Sequence, residues 1–299
     1  MRLAVIDFSS VSISLLVADI SGERGYRPLA GLRRSVSILD YMTHDGSLSE
    51  NGIGKCVEEV MYLLSAARTA EAERISIIAT ASMRIIRNRE EVRTRIAKAS
   101  GIDVLVLSGR DEAYADYMAN REYAALGSAL LLDIGGVSAE LADLSDAKKK
   151  HMFSLPLGPM FLQSLFPSLY PKWDDIRRMR RRIRKIYVKK EVYPCSSFER
   201  IVITGNDADA LYRIYSDFYS LSPSGLHIMY RKKVKELLKY LASSEERSSL
   251  IVRNAPERGR TIIPAFTLLY ETMRYFSAES TIVSKQGVKE GYMRILVEG

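Results

Sequence analysis

Two ten-residue stretches hold the residues best suited to chemistry: IDFSSVSISL at 6–15 and LDIGGVSAEL at 132–141. In each, an apolar run ends at an Asp (Asp7, Asp133). An apolar residue, two small residues, Val-Ser, two more residues and a Leu follow. A tight turn between two strands aims several backbone N–H groups one way and so makes a nest for an anion. Gly135 and Gly136 would let a phosphate approach the backbone closely. The hydroxyls of Ser10, Ser12 and Ser138 add donors, and a strand-end carboxylate can hold Mg²⁺, usually through water. Either stretch alone reads better as an ordinary hairpin whose Ser and Gly merely serve the turn. The repetition, 126 residues apart from Asp7 to Asp133, favours two copies of one α/β unit with loops that clamp a phosphate chain from both sides.

The elements that must position these loops follow from periodicity. Leu3–Phe8 and Leu15–Ile20 read as strands around the first turn. Ile53, Val57, Val60, Met61 and Leu64 are spaced for an amphipathic helix over 50–69. A strand at Ile75–Ala79, helical sequence to about Ser100, a strand at Asp103–Leu107 and a helix from Asp111 to about Ala124 complete the first half. The second half opens with strands at Leu130–Ile134 and about Glu140–Leu144, then one near Met152–Leu155. Helices at 158–166 and 172–188, a strand at Ile201–Thr204 and a helix at 206–215 come next. Mostly helical sequence then runs to residue 275, before a strand at Ser280–Val283 and a terminal helix near 287–297. Alternating strands and helices in both halves predict an α/β fold. The expected division is 1–122 and 123–299, with the terminal helix free to pack back on the first half.

Composition narrows the function classes. Of 299 residues, 47% are hydrophobic and 27% charged, the balance of a folded globular protein. No apolar run reaches membrane-spanning length, and the N-terminus lacks the features of a signal peptide. Cys56 and Cys195 lie in unrelated contexts and only three histidines occur, which leaves zinc and redox motifs unsupported and a cytoplasmic location expected. A formal charge of +8 points to an anionic partner. The densest cationic stretch, WDDIRRMRRRIRKIYVKK, sets its Arg and Lys residues around an apolar stripe of Ile176, Met179, Ile183 and Ile186. It is either a solvated surface helix or a track for a polyanion. Lys148–Lys150 would decorate a hairpin turn. No recognised nucleic-acid-binding motif accompanies either stretch, so nucleic acid is not the expected partner.

The order of motifs resembles the exopolyphosphatase/guanosine pentaphosphate phosphatase (Ppx/GppA) family of the actin-like ATPase superfamily. AVIDFSSVS resembles A-I-D-I-G-S-N-S, ATASMRIIRN resembles A-T-S-A-x-R-x-A-x-N, and VLSGRDEA resembles I-S-G-x-E-E-A. LLLDIGGVSAEL resembles D-I-G-G-G-S-T-E-L and SLPLG (Ser154–Gly158) matches as it stands. ITGNDADAL echoes G-T-G-G-T-A-x-A-L, and QGVKEG resembles Y-G-L-R-E-G. The resemblance implies two RNase H-like domains with mixed sheets flanked by helices and a cleft between them. It implies hydrolysis of polyphosphate or guanosine pentaphosphate with Mg²⁺, a second copy of the chain being a further candidate partner. By the same resemblance Glu112 is the base that activates water and Arg84 binds phosphate, with Gly135, Gly136 and Ser138 in the second phosphate loop. Asp7, Asp133 and Glu140 lie at the metal. Read without the resemblance, Ser108 and Asp111 form a capping box, Glu112 sits in a helix's first turn, and Arg84 is a solvated helix charge.

Four positions depart from the family pattern: Ser9 and Val11 stand for Gly and Asn, Val137 and Ala139 for Gly and Thr. A β-branched residue resists positive φ, so either valine could force its loop into a new shape. Asn206, Asp207 and Asp209 put acidic or amide groups where the third stretch is glycine-rich. Both an enzyme with altered substrate preference and a binding protein without turnover fit these changes. A sugar kinase of the same superfamily is a further reading, against which the Ser-Gly-x-x-Glu-Ala stretch argues.

Overall fold

The computed structural model describes residues 1–298 other than 23, 24, 167, 206, 223 and 224. Asn206, one of the departures from the family pattern, therefore lies outside the described residues. The chain divides into two compact units, Met1–Ala119 together with the stretch from Gln286 onward, and Asn120–Lys285.

The first unit runs β1 (Arg2–Phe8), β2 (Ser12–Ser21), β3 (Gly25–Ser35), α1 (Glu50–Thr69), β4 (Arg74–Ala79), α2 (Ala81–Ile85), α3 (Arg89–Ser100), β5 (Val104–Val106) and α4 (Gly109–Asn120). Its sheet has the order β3-β2-β1-β4-β5, with β1, β4 and β5 parallel and β2 and β3 antiparallel to their neighbours. Both faces are covered, which is why β1 reads as a continuous apolar run rather than an alternating one. Ala4, Ile6 and Phe8 pack with Ile53, Val60 and Leu64 of α1 and Val92 and Ile96 of α3. Leu3 and Val5 pack on the other face with Met293. Because successive side chains alternate, Asp7 belongs to this second face.

The second unit continues with β6 (Ala129–Ile134), β7 (Ala139–Asp143), β8 (Phe153–Leu155), α5 (Pro159–Ser164), α6 (Trp173–Lys189), β9 (Arg200–Thr204), α7 (Ala208–Phe218), β10 (Ile228–Tyr230), α8 (Arg231–Ser243), α9 (Arg247–Asn254), α10 (Ile262–Tyr275) and β11 (Ser280–Val283). The last element, α11 (Val288–Glu298), belongs to the first unit. The second sheet has the order β10-β11-β9-β6-β7-β8, with β6, β9 and β11 parallel.

Set side by side, the sheets are one topology used twice. Read from the antiparallel edge, β3-β2-β1-β4-β5 corresponds to β8-β7-β6-β9-β11, and β10 is an addition. The hairpins share a register as well: Asp7 pairs with Ser14, and Asp133 with Glu140. Each partner lies 126 residues from its counterpart, so the repeat seen in the sequence is a repeat in the sheet.

Two strands differ from the expectation. β3 is exposed along nearly its whole length and carries Pro28 on a sheet edge, so it shows no alternation of burial. β10 has only three residues and interrupts the region read as helical to 275. Lys149 and Lys150 lie in an exposed 3-10 turn between β7 and β8, as the hairpin reading has it.

Candidate active site

In both units the motif residues gather at the C-terminal ends of parallel strands, where ligands bind in open α/β sheets. In the first unit these are the turn after β1, the Thr80–Arg84 segment after β4, and the Leu107–Glu112 segment after β5. The backbone stitches them together: Thr80 N donates to Phe8 O at 3.3 Å and Leu107 N to Ala79 O at 2.9 Å.

Arg84 and Glu112 meet there. Arg84 Nη1 donates to Glu112 Oε2 at 2.5 Å and to Leu107 O at 3.0 Å. Glu112 is 4% exposed. The solvated-charge reading of Arg84 is thus corrected, because the guanidinium ends on a buried carboxylate. Capping falls to its neighbour. Asp111 accepts from Ser108 N and Oγ at 3.2 and 2.5 Å, while Asp111 N donates to Ser108 Oγ at 3.2 Å. The capping box is real, and it leaves Glu112 for another task.

The β1–β2 turn is closed by Ser9, whose N–H and hydroxyl both donate to Ser12 O, at 3.0 and 2.9 Å. A glycine could supply only the first of these bonds. Ser10 and Ser12 are buried, and the carbonyls of Ser10 and Val11 accept from Ile38 N and Val36 N. Asp7 Oδ1 is buried with no hydrogen-bond partner among the described residues. Burial pushes this carboxyl up to about 6, with Lys289 and Arg33 pulling the other way and Glu290 adding to the rise.

That shift has a testable sign. The folded value exceeds the ordinary 3.8, so folding takes up protons between the two. The stability tied to neutral Asp7 is complete below about pH 4 and lost as pH rises through about 6. Above that the ionised group costs up to about 3 kcal/mol. Asp7→Asn is expected to raise the melting temperature of metal-free protein at pH 8 and to change little at pH 4.5. An equal gain at both pH values would refute the burial argument.

In the second unit, Asp133 and Glu140 are cross-strand neighbours, 5% and 1% exposed. Glu140 Oε1 accepts from Ser138 Oγ at 2.8 Å and from Ser154 Oγ at 2.6 Å. The Ser138 hydroxyl, a candidate phosphate donor by sequence, donates to Glu140 and so orients a carboxylate. Ser154 does the same. It was legible only as the first letter of SLPLG.

Neither valine is strained in its loop. Among the described residues, neither Val11 nor Val137 has positive φ, and neither do Gly135 and Gly136. The demanding glycines lie elsewhere. A Cβ at Gly158 would stand 2.4 Å from Gly136 O, and Gly158 N and Met160 N donate to Val137 O and Gly136 O. The SLPLG segment therefore lies flat against the second loop. Gly205 has φ of +93°, and a Cβ there would stand 2.1 Å from Asp133 Oδ1. The acidic residues that follow it are neutralised locally, Asp207 by Arg258 at 3.2 Å and Asp209 by Arg213 at 3.3 Å.

The ten residues singled out by sequence thus divide evenly. Asp7, Ser10, Ser12, Arg84 and Glu112 belong to the first unit, and Asp133, Gly135, Gly136, Ser138 and Glu140 to the second. Within the second unit, Asp133 and Glu140 set two buried carboxylates side by side, oxygen donors of the kind a hard divalent cation takes.

The family model of the Ppx/GppA phosphatase family matches residues 16–297. The chain belongs to this family. Similar Ppx/GppA proteins include exopolyphosphatase 1 of Mycobacterium tuberculosis, 28% identical over 160 residues, which are 53% of this chain and 46% of that protein. The guanosine-5'-triphosphate,3'-diphosphate pyrophosphatase of Pseudoalteromonas translucida is 30% identical over 140 residues, 46% of this chain and 28% of its own. These matches span less than half the length of either relative. Among solved structures, the Aquifex aeolicus PPX-GPPA enzyme aligns with TM-score 0.82 at 23% identity, over 99% of both chains. An exopolyphosphatase from Cytophaga hutchinsonii aligns with TM-score 0.86 at 19% identity, over 100% of this chain and 98% of its own. At these identities the structural likeness establishes the fold, the α/β actin-like ATPase architecture of Ppx/GppA proteins.

Proposed function

We propose that this Ppx/GppA chain is a phosphoanhydride hydrolase that removes terminal orthophosphate from inorganic polyphosphate, with guanosine pentaphosphate as the second substrate class. The observation that carries the reading is the pair of buried Glu112 with half-buried Arg84 at the C-terminal ends of β4 and β5. Glu112 is the base for the attacking water. Arg84, whose guanidinium can bind two phosphate oxygens, is the clamp. Backbone N–H groups of each hairpin loop offer donors to phosphate oxygens. Asp133 and Glu140, cross-strand neighbours, would hold Mg²⁺, which when bound supplies neutralisation of phosphate charge. The rate gain then comes mainly from positioning and charge stabilisation.

A second reading, a polyphosphate- or alarmone-binding regulator, draws on the second loop. Ser138 donates to Glu140, and Ala139 offers no hydroxyl, so backbone groups alone face a phosphate there. Orthophosphate release from long-chain polyphosphate with Mg²⁺ separates the two. Release supports the hydrolase. Binding without release, under conditions where an active exopolyphosphatase turns over, rejects it in favour of the regulator.

A further inference from the structure

The cationic helix α6 is neither uniformly solvated nor simply one face of a track. Ile176, Met179, Ile183 and Tyr187 are buried, with Tyr187 rather than Ile186 completing the apolar stripe. On one flank three guanidinium groups converge on Glu271 of α10, which is 1% exposed. Arg180 Nε donates to it at 2.7 Å and Arg184 Nη2 at 2.9 Å, with Arg274 Nη1 at 3.8 Å. The Arg180 guanidinium also lies over the Tyr270 ring, 4.8 Å from its centroid. These contacts fix the guanidinium before any ligand arrives.

Above this floor is an open pocket of about 520 Å³, walled by Trp173, Arg177 and Arg180 of α6, Lys235 and Lys239 of α8, and Tyr270 and Arg274 of α10. Five cationic side chains surround it, and Glu271 beneath is already shared among three arginines. Lys235 and Lys239 stand one turn apart, both exposed, with no ion pair among the described residues. Like charges at this spacing destabilise a helix, so the arrangement opposes stability until an anion enters.

We propose that the groove framed by α6, α8 and α10 is a second anion site that binds an internal stretch of a polyphosphate chain. The inference rests on polyphosphate being a ligand of this protein. Shape and charge density favour that ligand. A pre-set guanidinium flanked by lysines suits clustered phosphoryl oxygens. The cations of α6 run around the helix, whereas a nucleic-acid duplex, a rigid rod with phosphates spread along it, needs them in one stripe. A flexible polyphosphate can enter a concave pocket that such a rod cannot. The site holds a long chain at a point other than the phosphate being removed, so it favours long substrates over short ones.

The test is charge reversal in the full chain, Lys235→Glu with Lys239→Glu, both outside the hydrolytic machinery. With an unchanged melting temperature, the double variant is expected to bind long-chain polyphosphate at least tenfold more weakly at about 0.15 M salt. Its kcat/KM on triphosphate, which has no internal stretch to spare, stays at the wild-type value. Unchanged polyphosphate affinity in the folded variant overturns the proposal. So does a loss confined to duplex DNA, which would make the groove a nucleic-acid site. Wild-type protein that binds polyphosphate through these lysines yet releases no orthophosphate sinks the hydrolase reading and leaves this site standing. Equal KM for wild type and variant on long chains does the reverse.

Discussion

Glu112→Gln is expected to lower orthophosphate release from polyphosphate by about 10²–10⁴-fold, the usual worth of a positioned general base. The substitution keeps the shape of the side chain and an oxygen able to accept from Arg84 Nη1, and removes only the charge and the capacity to take a proton. Arg84 is the control on stability. It retains its bond to Leu107 O and is 24% exposed, so solvent compensates for much of the lost ion pair. The cost in stability is then modest, about 1–2 kcal/mol. A merely structural role for Glu112 predicts the opposite balance, a large fall in melting temperature with kcat recovering at low temperature. The decisive readouts are kcat, polyphosphate affinity and melting temperature on the same preparation. A variant that melts near wild type, binds polyphosphate and turns over within tenfold of wild type would show that another group activates the water.

How much of this was legible beforehand depends on the range of each interaction. The paired hairpins were readable because strand-end Asp, small turn residues and the following Ser recur at a fixed offset. The sheet register of Asp7 with Ser14 and Asp133 with Glu140 follows from that local pattern. The Ser108–Asp111 box was readable for the same reason, its partners being three residues apart. Edge strand β3 was not, because its side chains face solvent and Pro28 weakens the strand signal. Partnerships across long separations left no trace either. Arg180 and Glu271 are 91 residues apart, and Arg84 and Glu112 28 apart. The motifs marked the latter two separately and gave no hint that they bind each other. The strict demands for glycine were hidden for a related reason: they come from close approach at Gly158 and Gly205, in segments brought there by the fold.

Close approach also sets the last prediction. Gly291, the final residue of QGVKEG, lies where a Cβ would stand 1.6 Å from Ala115 O and 2.4 Å from Ala115 C. The obstacle is the backbone of α4, which no rotamer change can move. Gly291→Ala must therefore drive α11 and α4 apart, and α11 cannot yield freely. Its Met293 is fully buried with Leu3, Val5 and Leu16 on the second face of the sheet. Overpacking of this kind costs about 1–3 kcal/mol and sometimes more. A backbone clash belongs at the upper end, a fall of roughly 6–12 °C in melting temperature for a domain of this size. Activity is expected to fall further than stability alone explains, since Glu112 is one turn before Ala115 on α4, and Lys289 and Glu290, which act on Asp7, lie next to Gly291 on α11. Gly54→Ala is the matched comparison. That glycine is exposed on α1 with nothing within 4 Å of a built Cβ. Alanine there should add about 0.5–1 kcal/mol from helix propensity and leave turnover unchanged. If both variants melt at or above the wild-type temperature, the contact between α11 and α4 is not what the terminal glycine of the motif is for.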